Sequence, residues 1–222
     1  MTKVLIVDDH MVVRDGVRRL IAPLQPEAIA EAETPRDALD AFRRMRPDIV
    51  ILDINLRGGS GLEVLRRLHA DDAKARIVVF SMYSDLVYAT SARREGALGY
   101  VSKSAPSDEL LTAIRRALRG ETYVDCVTAA TQENAAINVA ARLSTRELEI
   151  LHMLGEGQSL NDIASGLGVA YKTIANSSTR IKEKLGLERT SDLIRFAVET
   201  RGGRLVGCLL YTSDAADDMQ CV

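Results

Sequence analysis

At 222 residues the chain is long enough for two ordinary domains, and its 46% hydrophobic content with mixed charges excludes a disordered polypeptide. A formal net charge of -2 excludes a globally basic or acidic protein, although a small basic surface fits inside a near-neutral total. There is no apolar run of the ~18 residues a membrane span needs, and the start MTKVLIVDD lacks the shape of a secretory signal, so a soluble cytoplasmic protein without membrane contact is expected.

In chain order, short apolar runs at Val4–Val7, Ala28–Ala30, Ile49–Leu52, Ile77–Phe80 and Tyr100–Val101 read as strands. Stretches of helical periodicity separate and follow them, at about 11–20, 35–46, 61–69, 85–95 and 107–119. Pro35 after Thr34 and Gly61 after Ser60 mark two helix starts. The runs are unbroken rather than alternating, as a parallel sheet covered on both faces requires. The expected fold of residues 1–120 is therefore α/β, a flavodoxin-like doubly wound five-stranded parallel sheet. Such sheets bind ligands at the carboxyl ends of their strands.

Those ends carry chemistry. Asp8 and Asp9 follow the first strand, Asp53 closes DIVILD, Ser81 follows IVVF, and Lys103 stands just beyond the fifth strand. Adjacent carboxylates at the end of a buried strand repel each other unless a cation sits between them. Three of them together can hold a small hard ion such as Mg2+. A hydroxyl and an ammonium on the same rim can grip a phosphoryl group, one by hydrogen bond and the other by charge. Gly58, Gly59 and Gly61 read as turn formers, because no phosphate-loop pattern follows them.

Residues 1–120 resemble the receiver domain of bacterial two-component response regulators throughout. The resemblance implies that Asp53 accepts a phosphoryl group from a sensor histidine kinase. It also implies that Asp9 ligates Mg2+ directly, that Asp8 helps through water, and that the backbone carbonyl of Asn55 completes the protein ligands. Ser81 and Lys103 match the hydroxyl and lysine of that family, and Tyr100 matches the aromatic that turns inward on activation.

Residues 121–142, ETYVDCVTAATQENAAINVAAR, are small and mildly polar without a firm strand pattern, and read as a linker in which Ala135–Ala141 could dock on a neighbour or as an irregular tail of the first domain. A second domain is expected over 143–203. Ser144 or Thr145 can cap a helix with Leu148, Ile150, Leu151 and Leu154 on its apolar face, and Glu147 offers a capping carboxylate. Gly155 and Gly157 end it, Ser159 opens a short helix over LNDIASGL, Gly168 turns the chain, and Tyr171–Leu185 forms a longer helix. That is the pattern of a helix-turn-helix, whose second member lies in the major groove. A last amphipathic helix covers about Thr190–Thr200.

This stretch resembles the DNA-binding domain of the LuxR and NarL/FixJ class of regulators. The resemblance implies that Lys172, Thr173, Asn176 and Ser177 face the groove and that Arg180 or Lys184 approaches phosphates. Between Tyr171 and Arg189, five Lys or Arg against two Glu form a modest basic surface. Relatives commonly carry a charged residue and a histidine at positions 175 and 177, where this chain has Ala and Ser, so base preference does not transfer. Leu193, Ala197 and Thr200 form a short stripe that could serve dimerisation or pack inside the domain. The tail 204–222 is expected to be non-native or disordered; GCLLYTSDAADDMQCV fits no helix of the class and looks like adapter read-through. Two of the three cysteines, Cys208 and Cys221, lie in it, and together with Cys126 they show no metal-binding spacing.

The sequence thus points to a transcription regulator, not an enzyme, that is monomeric until phosphorylation of Asp53, then dimerises and binds promoter DNA. The alternative is a receiver-containing interaction protein regulated without phosphate or with a degenerate DNA-binding domain.

Overall fold

The apolar runs of the first half can be unbroken because alternate side chains of each strand meet a separate helical layer. In the computed structural model, which describes residues 2–83, 86–125 and 142–201, Val4, Ile6, Ile49, Ile51, Val78 and Val101 point to one face of a sheet. Leu5, Val7, Val50, Leu52, Val79 and Tyr100 point to the other. The elements run β1 (Lys3–Val7), α1 (Met11–Ile21), β2 (Ala28–Ala32), α2 (Pro35–Met45) and β3 (Ile49–Leu52). A small antiparallel hairpin, β4 (Asn55–Leu56) with β5 (Gly59–Ser60), leads into α3 (Gly61–Asp71). Then come β6 (Ile77–Ser81), α4 (Leu86–Arg94), β7 (Gly99–Ser102), α5 (Ser107–Leu118) and β8 (Tyr123–Val124). Helices α1 and α5 cover the first face, and α2, α3 and α4 the second.

The main sheet is parallel in the order β2-β1-β3-β6-β7-β8. Its first five strands are those expected, and β8 is an addition. The linker expected from residue 121 therefore begins later, because Tyr123 and Val124 pair with Gly99 and Tyr100. Two residues carry too little alternation to be read as a strand. They are held by side chains: Tyr123 donates to Glu109 and lies under the Arg116 guanidinium at 5.1 Å, and the buried Asp125 accepts from the Ser102 amide at 2.9 Å. Residues 126–141, including the docking segment Ala135–Ala141, lie outside the described residues, as do all three cysteines and the tail.

The second half is all-helical, with α6 (Thr145–Gly155), α7 (Leu160–Gly166), α8 (Tyr171–Leu185) and α9 (Thr190–Arg201). Ser144, not Thr145, is the cap of α6, in a reciprocal box with Glu147. Ser159 and Asp162 repeat that box at α7. Helices α6 and α9 cross so closely that a Cβ on Gly155 would stand 2.7 Å from the carbonyl oxygen of Ala197, which only glycine allows. One apolar cluster runs from the α2–α4 side of the sheet through Tyr83 and Tyr88 into Leu148, Leu151 and the core of the helical domain. No helix among the described residues is long and apolar enough to cross a membrane.

Candidate functional site

Strand register assembles the site. Val7 pairs with Leu52, so the next residues, Asp8 and Asp53, emerge side by side at the carboxyl edge. Ser81 pairs with Ser102, which places Lys103 one step beyond Ser81, with the Lys103 amide donating to the Ser81 carbonyl at 2.7 Å. The ammonium of Lys103 then reaches across the edge and donates to Oδ2 of Asp8 and Oδ2 of Asp53, each at 2.6 Å. Oδ1 of Asp53 accepts from the Asn55 amide at 3.3 Å. The backbone of Asp53 is pressed against the start of α3: a Cβ on Gly61 would lie 1.8 Å from the Asp53 carbonyl oxygen. Gly61 is thus required by close approach.

The buried Arg14 supports the first aspartate from behind. It donates to the Asp8 carbonyl at 2.8 Å and pairs with Glu31 and Glu33, joining β1 to β2 beneath the site. The Asp8 side chain in turn accepts from the His10 amide at 2.8 Å, which ties down the turn into α1.

Burial raises the pKa of Asp53 above its ordinary value, with Lys103 opposing and the charge of Asp8 reinforcing the shift. For Lys103, burial favours the neutral amine, but the combined attraction of Asp53 and Asp8 outweighs it and holds the ammonium above its usual range. In this geometry the lysine supplies a cation shared by Asp8 and Asp53.

Asp8, Asp9, His10 and Asp53 can each bring a ligand atom within 4.8 Å of the others. The residues fit a divalent cation in a specific respect. Oδ1 of Asp9 is shielded from solvent and receives no hydrogen bond among the described residues, although Nδ1 of His10 approaches it to 2.8 Å. A shielded carboxylate oxygen without a donor is poorly served by the protein alone and well served by an ion. His10 was absent from the sequence-derived set, although its adjacency to Asp9 was visible.

Ser81 is buried at the same rim, and its hydroxyl accepts from the Tyr83 amide at 3.4 Å. Tyr100 lies inward, fully buried, and its hydroxyl donates to the Tyr83 carbonyl at 2.7 Å, a backbone acceptor that satisfies the polar end of a buried ring.

In the helical domain, Lys172, Thr173, Asn176 and Arg180 share the exposed side of α8, with Ser177 half-buried at its margin. Ile174 and Ile181 are buried on the opposite side. Lys184, the alternative to Arg180 for a phosphate contact, has its ammonium 2.6 Å from Oε2 of Glu147, a pair that ties α8 to α6. Of the two readings of the Leu193 and Ala197 stripe, packing inside the domain holds and dimerisation through these two side chains does not: they are 0% and 3% exposed, while the apolar side chains that α9 leaves in solvent are Ile194 and Val198. Nothing is described of the Thr200 side chain.

The model of the response regulator receiver domain matches residues 4–115, and that of bacterial regulatory proteins of the luxR family matches residues 141–197. The chain belongs to the response regulators with a LuxR-type DNA-binding domain. It is 36% identical over 200 residues to the methanol utilization control regulatory protein MoxX of Paracoccus denitrificans, covering 86% of this chain and 89% of that one. It is 33% identical over 212 residues to the oxygen regulatory protein NreC of Staphylococcus haemolyticus, covering 90% and 98%.

Among solved structures, a LuxR-family response regulator from Aurantimonas sp. SI85-9A1 superposes with a TM-score of 0.55 at 37% identity, over 59% of this chain and 94% of that chain. RcsB from Salmonella enterica serovar Typhimurium, bound to a promoter in the presence of the phosphomimetic BeF3-, superposes with a TM-score of 0.67 at 22% identity, over 88% and 98%. The latter shows a shared fold. This response regulator therefore has the architecture that couples phosphorylation to DNA-binding transcriptional control.

Proposed function

We propose that Asp53 is the phosphoacceptor of this response regulator, that Asp8, Asp9 and the Asn55 carbonyl hold Mg2+ beside it, and that Ser81 and Lys103 grip the incoming phosphoryl oxygens. The observation that carries the reading is the convergence of Asp53, two further carboxylates, a hydroxyl and Lys103 on one strand edge. A carboxylate oxygen of Asp53 forms a bond to phosphorus as the bond from phosphorus to a kinase histidine nitrogen breaks, the electron pair leaving with the imidazole. Lys103 stands where charge on the transferring group needs neutralising. Bound at the carboxylates, Mg2+ supplies further charge neutralisation of the phosphoryl oxygens. The exposed apolar residues Met11, Val12 and Met82 surround the same edge and suit contact with a sensor histidine kinase.

Residues 1–125 are assigned to the receiver and 143–203 to the DNA-binding domain. The latter reads promoter DNA through Lys172, Thr173, Asn176 and Ser177, with Arg180 toward phosphates, on the support of the exposed side of α8. A single helix-turn-helix makes few contacts, so a homodimer on two half-sites follows, with Ile194 and Val198 as its apolar element. Incubation with acetyl phosphate and Mg2+ tests the reading. One phosphoryl group on the wild type and none on Asp53→Asn, by intact-mass measurement, are expected; equal labelling of both overturns the assignment.

A further inference from the structure

The receiver loops that carry the phosphoryl chemistry are also those on which the DNA-binding domain rests. Helix α6 lies against α3. From the β4–β5 hairpin that follows Asp53, the hydroxyl of Ser60 donates to Oε1 of Glu149. Just beyond β6, the ring of Tyr83 packs on His152 with centroids 3.9 Å apart and stacks on Tyr88 at 4.7 Å. The hydroxyl of Tyr88 donates to the Leu148 carbonyl at 3.0 Å.

We propose that Glu149 is a positioning residue for the phosphoryl site, acting from the DNA-binding domain: it fixes Ser60, and so holds the β4–β5 hairpin where the Asn55 carbonyl faces Mg2+. The inference rests on the reading of Asp53 and Asn55 given above, and adds to it a group from the other domain. A hairpin this short is weak by itself. Its pairing consists of Asn55 opposite Ser60 and Leu56 opposite Gly59, so whatever fixes Ser60 also fixes Asn55. The Asn55 amide reaches Oδ1 of Asp53 at 3.3 Å, which is long for such a bond. A small displacement of the hairpin therefore moves a metal ligand and frees one oxygen of the acceptor together.

Ser60 is anchored from two sides. As the cap of α3 its hydroxyl accepts from the Glu63 amide at 3.3 Å, and its one proton goes to Glu149. Water would take that proton equally well but would not fix its direction. Glu149 does, because it is 6% exposed and its other oxygen, Oε2, accepts from Arg146 at 3.1 Å. A ligand held by a supported partner keeps its aim, and one without such support loses metal affinity.

Tyr83 makes a parallel link. Its amide donates to the Ser81 hydroxyl at 3.4 Å, its carbonyl accepts from Tyr100 at 2.7 Å, and its hydroxyl stands beside the Asn55 side chain. The ring contact with His152 thus braces the segment next to Ser81 while Glu149 braces the hairpin next to Asp53.

The test is calorimetric titration of the unphosphorylated full chain with Mg2+, paired with phosphoryl uptake from acetyl phosphate followed by intact mass. Glu149→Ala should weaken Mg2+ binding by roughly threefold to tenfold, less than the loss of a group that touches a metal ligand directly, and should slow uptake at limiting Mg2+. Saturating Mg2+ should recover most of the uptake rate. Glu149→Gln, whose side-chain carbonyl still accepts from Ser60, should bind Mg2+ as the wild type does. Rescue of this kind separates support of the hairpin from general loosening, and circular dichroism checks that both variants are folded. Equal Mg2+ affinity of wild type and Glu149→Ala overturns the inference. So does a loss in Glu149→Gln as large as that in Glu149→Ala, which would assign the effect to charge. Absence of Mg2+ binding in the wild type is a different result, and overturns the reading of the metal site on which the inference rests.

Discussion

Nζ of Lys103 and Oδ2 of Asp53 stand 2.6 Å apart, and the lysine closes the same distance to Oδ2 of Asp8. One ammonium therefore neutralises two buried carboxylates that strand register forces together. Any group that enters the edge must share or displace that ammonium, so site occupancy and local stability are linked.

Removal of the lysine exposes the repulsion it now offsets. Lys103→Ala should destabilise the receiver by about 3 kcal/mol in chelator, since it leaves buried charges without their partner. Added Mg2+ should restore part of the loss. Denaturant unfolding with and without Mg2+ measures both effects, and equal stability of wild type and variant in chelator would contradict the role given to Lys103.

Gly61 is the most constrained point of the scaffold around Asp53. The added methyl of Gly61→Ala would stand 1.8 Å from the Asp53 carbonyl oxygen and must push α3 away from the strand end. A loss of about 3 kcal/mol is expected, together with slower phosphoryl uptake because Asp53 moves with its backbone. Thermal unfolding and uptake kinetics should change together.

Glu147 offers a pH signature within the DNA-binding domain. Burial acts to raise its pKa, but the hydrogen bonds from Lys184 and from Ser144 outweigh it and hold the carboxyl below 4.5. Its contribution is therefore complete above 4.5 and lost as pH falls through the lowered value. Glu147→Gln should lower stability by about 1 kcal/mol at neutral pH, with the difference shrinking in acid. Unfolding curves of both proteins across that range provide the check.

Substitutions in α8 and α9 separate reading from folding. Lys172→Ala and Asn176→Ala should weaken promoter binding without changing unfolding, and at one salt concentration a mobility shift reports the loss. Ile194→Asp should prevent dimerisation of a folded protein. Leu193→Ala should instead cost about 3 kcal/mol of domain stability, as expected for a fully buried leucine. Sedimentation and unfolding measurements tell the two outcomes apart.

Much of the site was legible because its residues sit at the ends of apolar runs. Asp8, Asp53 and Lys103 each stand one step past a strand and Ser81 is the last residue of its own, and parallel strands in register bring such positions to one edge. The limits of α8, Tyr171–Leu185, were legible for a similar local reason, a glycine turn before it and Gly186 after it. His10 was overlooked beside two aspartates, although it needed only adjacency. Strand β8 was not legible at all, because Tyr123 and Val124 become a strand through Glu109, Arg116 and the sheet edge beneath them.

What the chain determined locally, then, was which segments are strands or helices and which chemical groups lie at their ends, since hydrophobic period and capping act within a few residues. Partner choice across long separations was decided only in three dimensions. Lys184 paired with Glu147 across 37 positions of sequence, and Leu193 and Ala197 turned inward to leave Ile194 and Val198 in solvent. Ser60 met Glu149 across 89 positions of sequence. A side chain takes the partner that best compensates its loss of water, and packing of whole elements decides which partners are in reach.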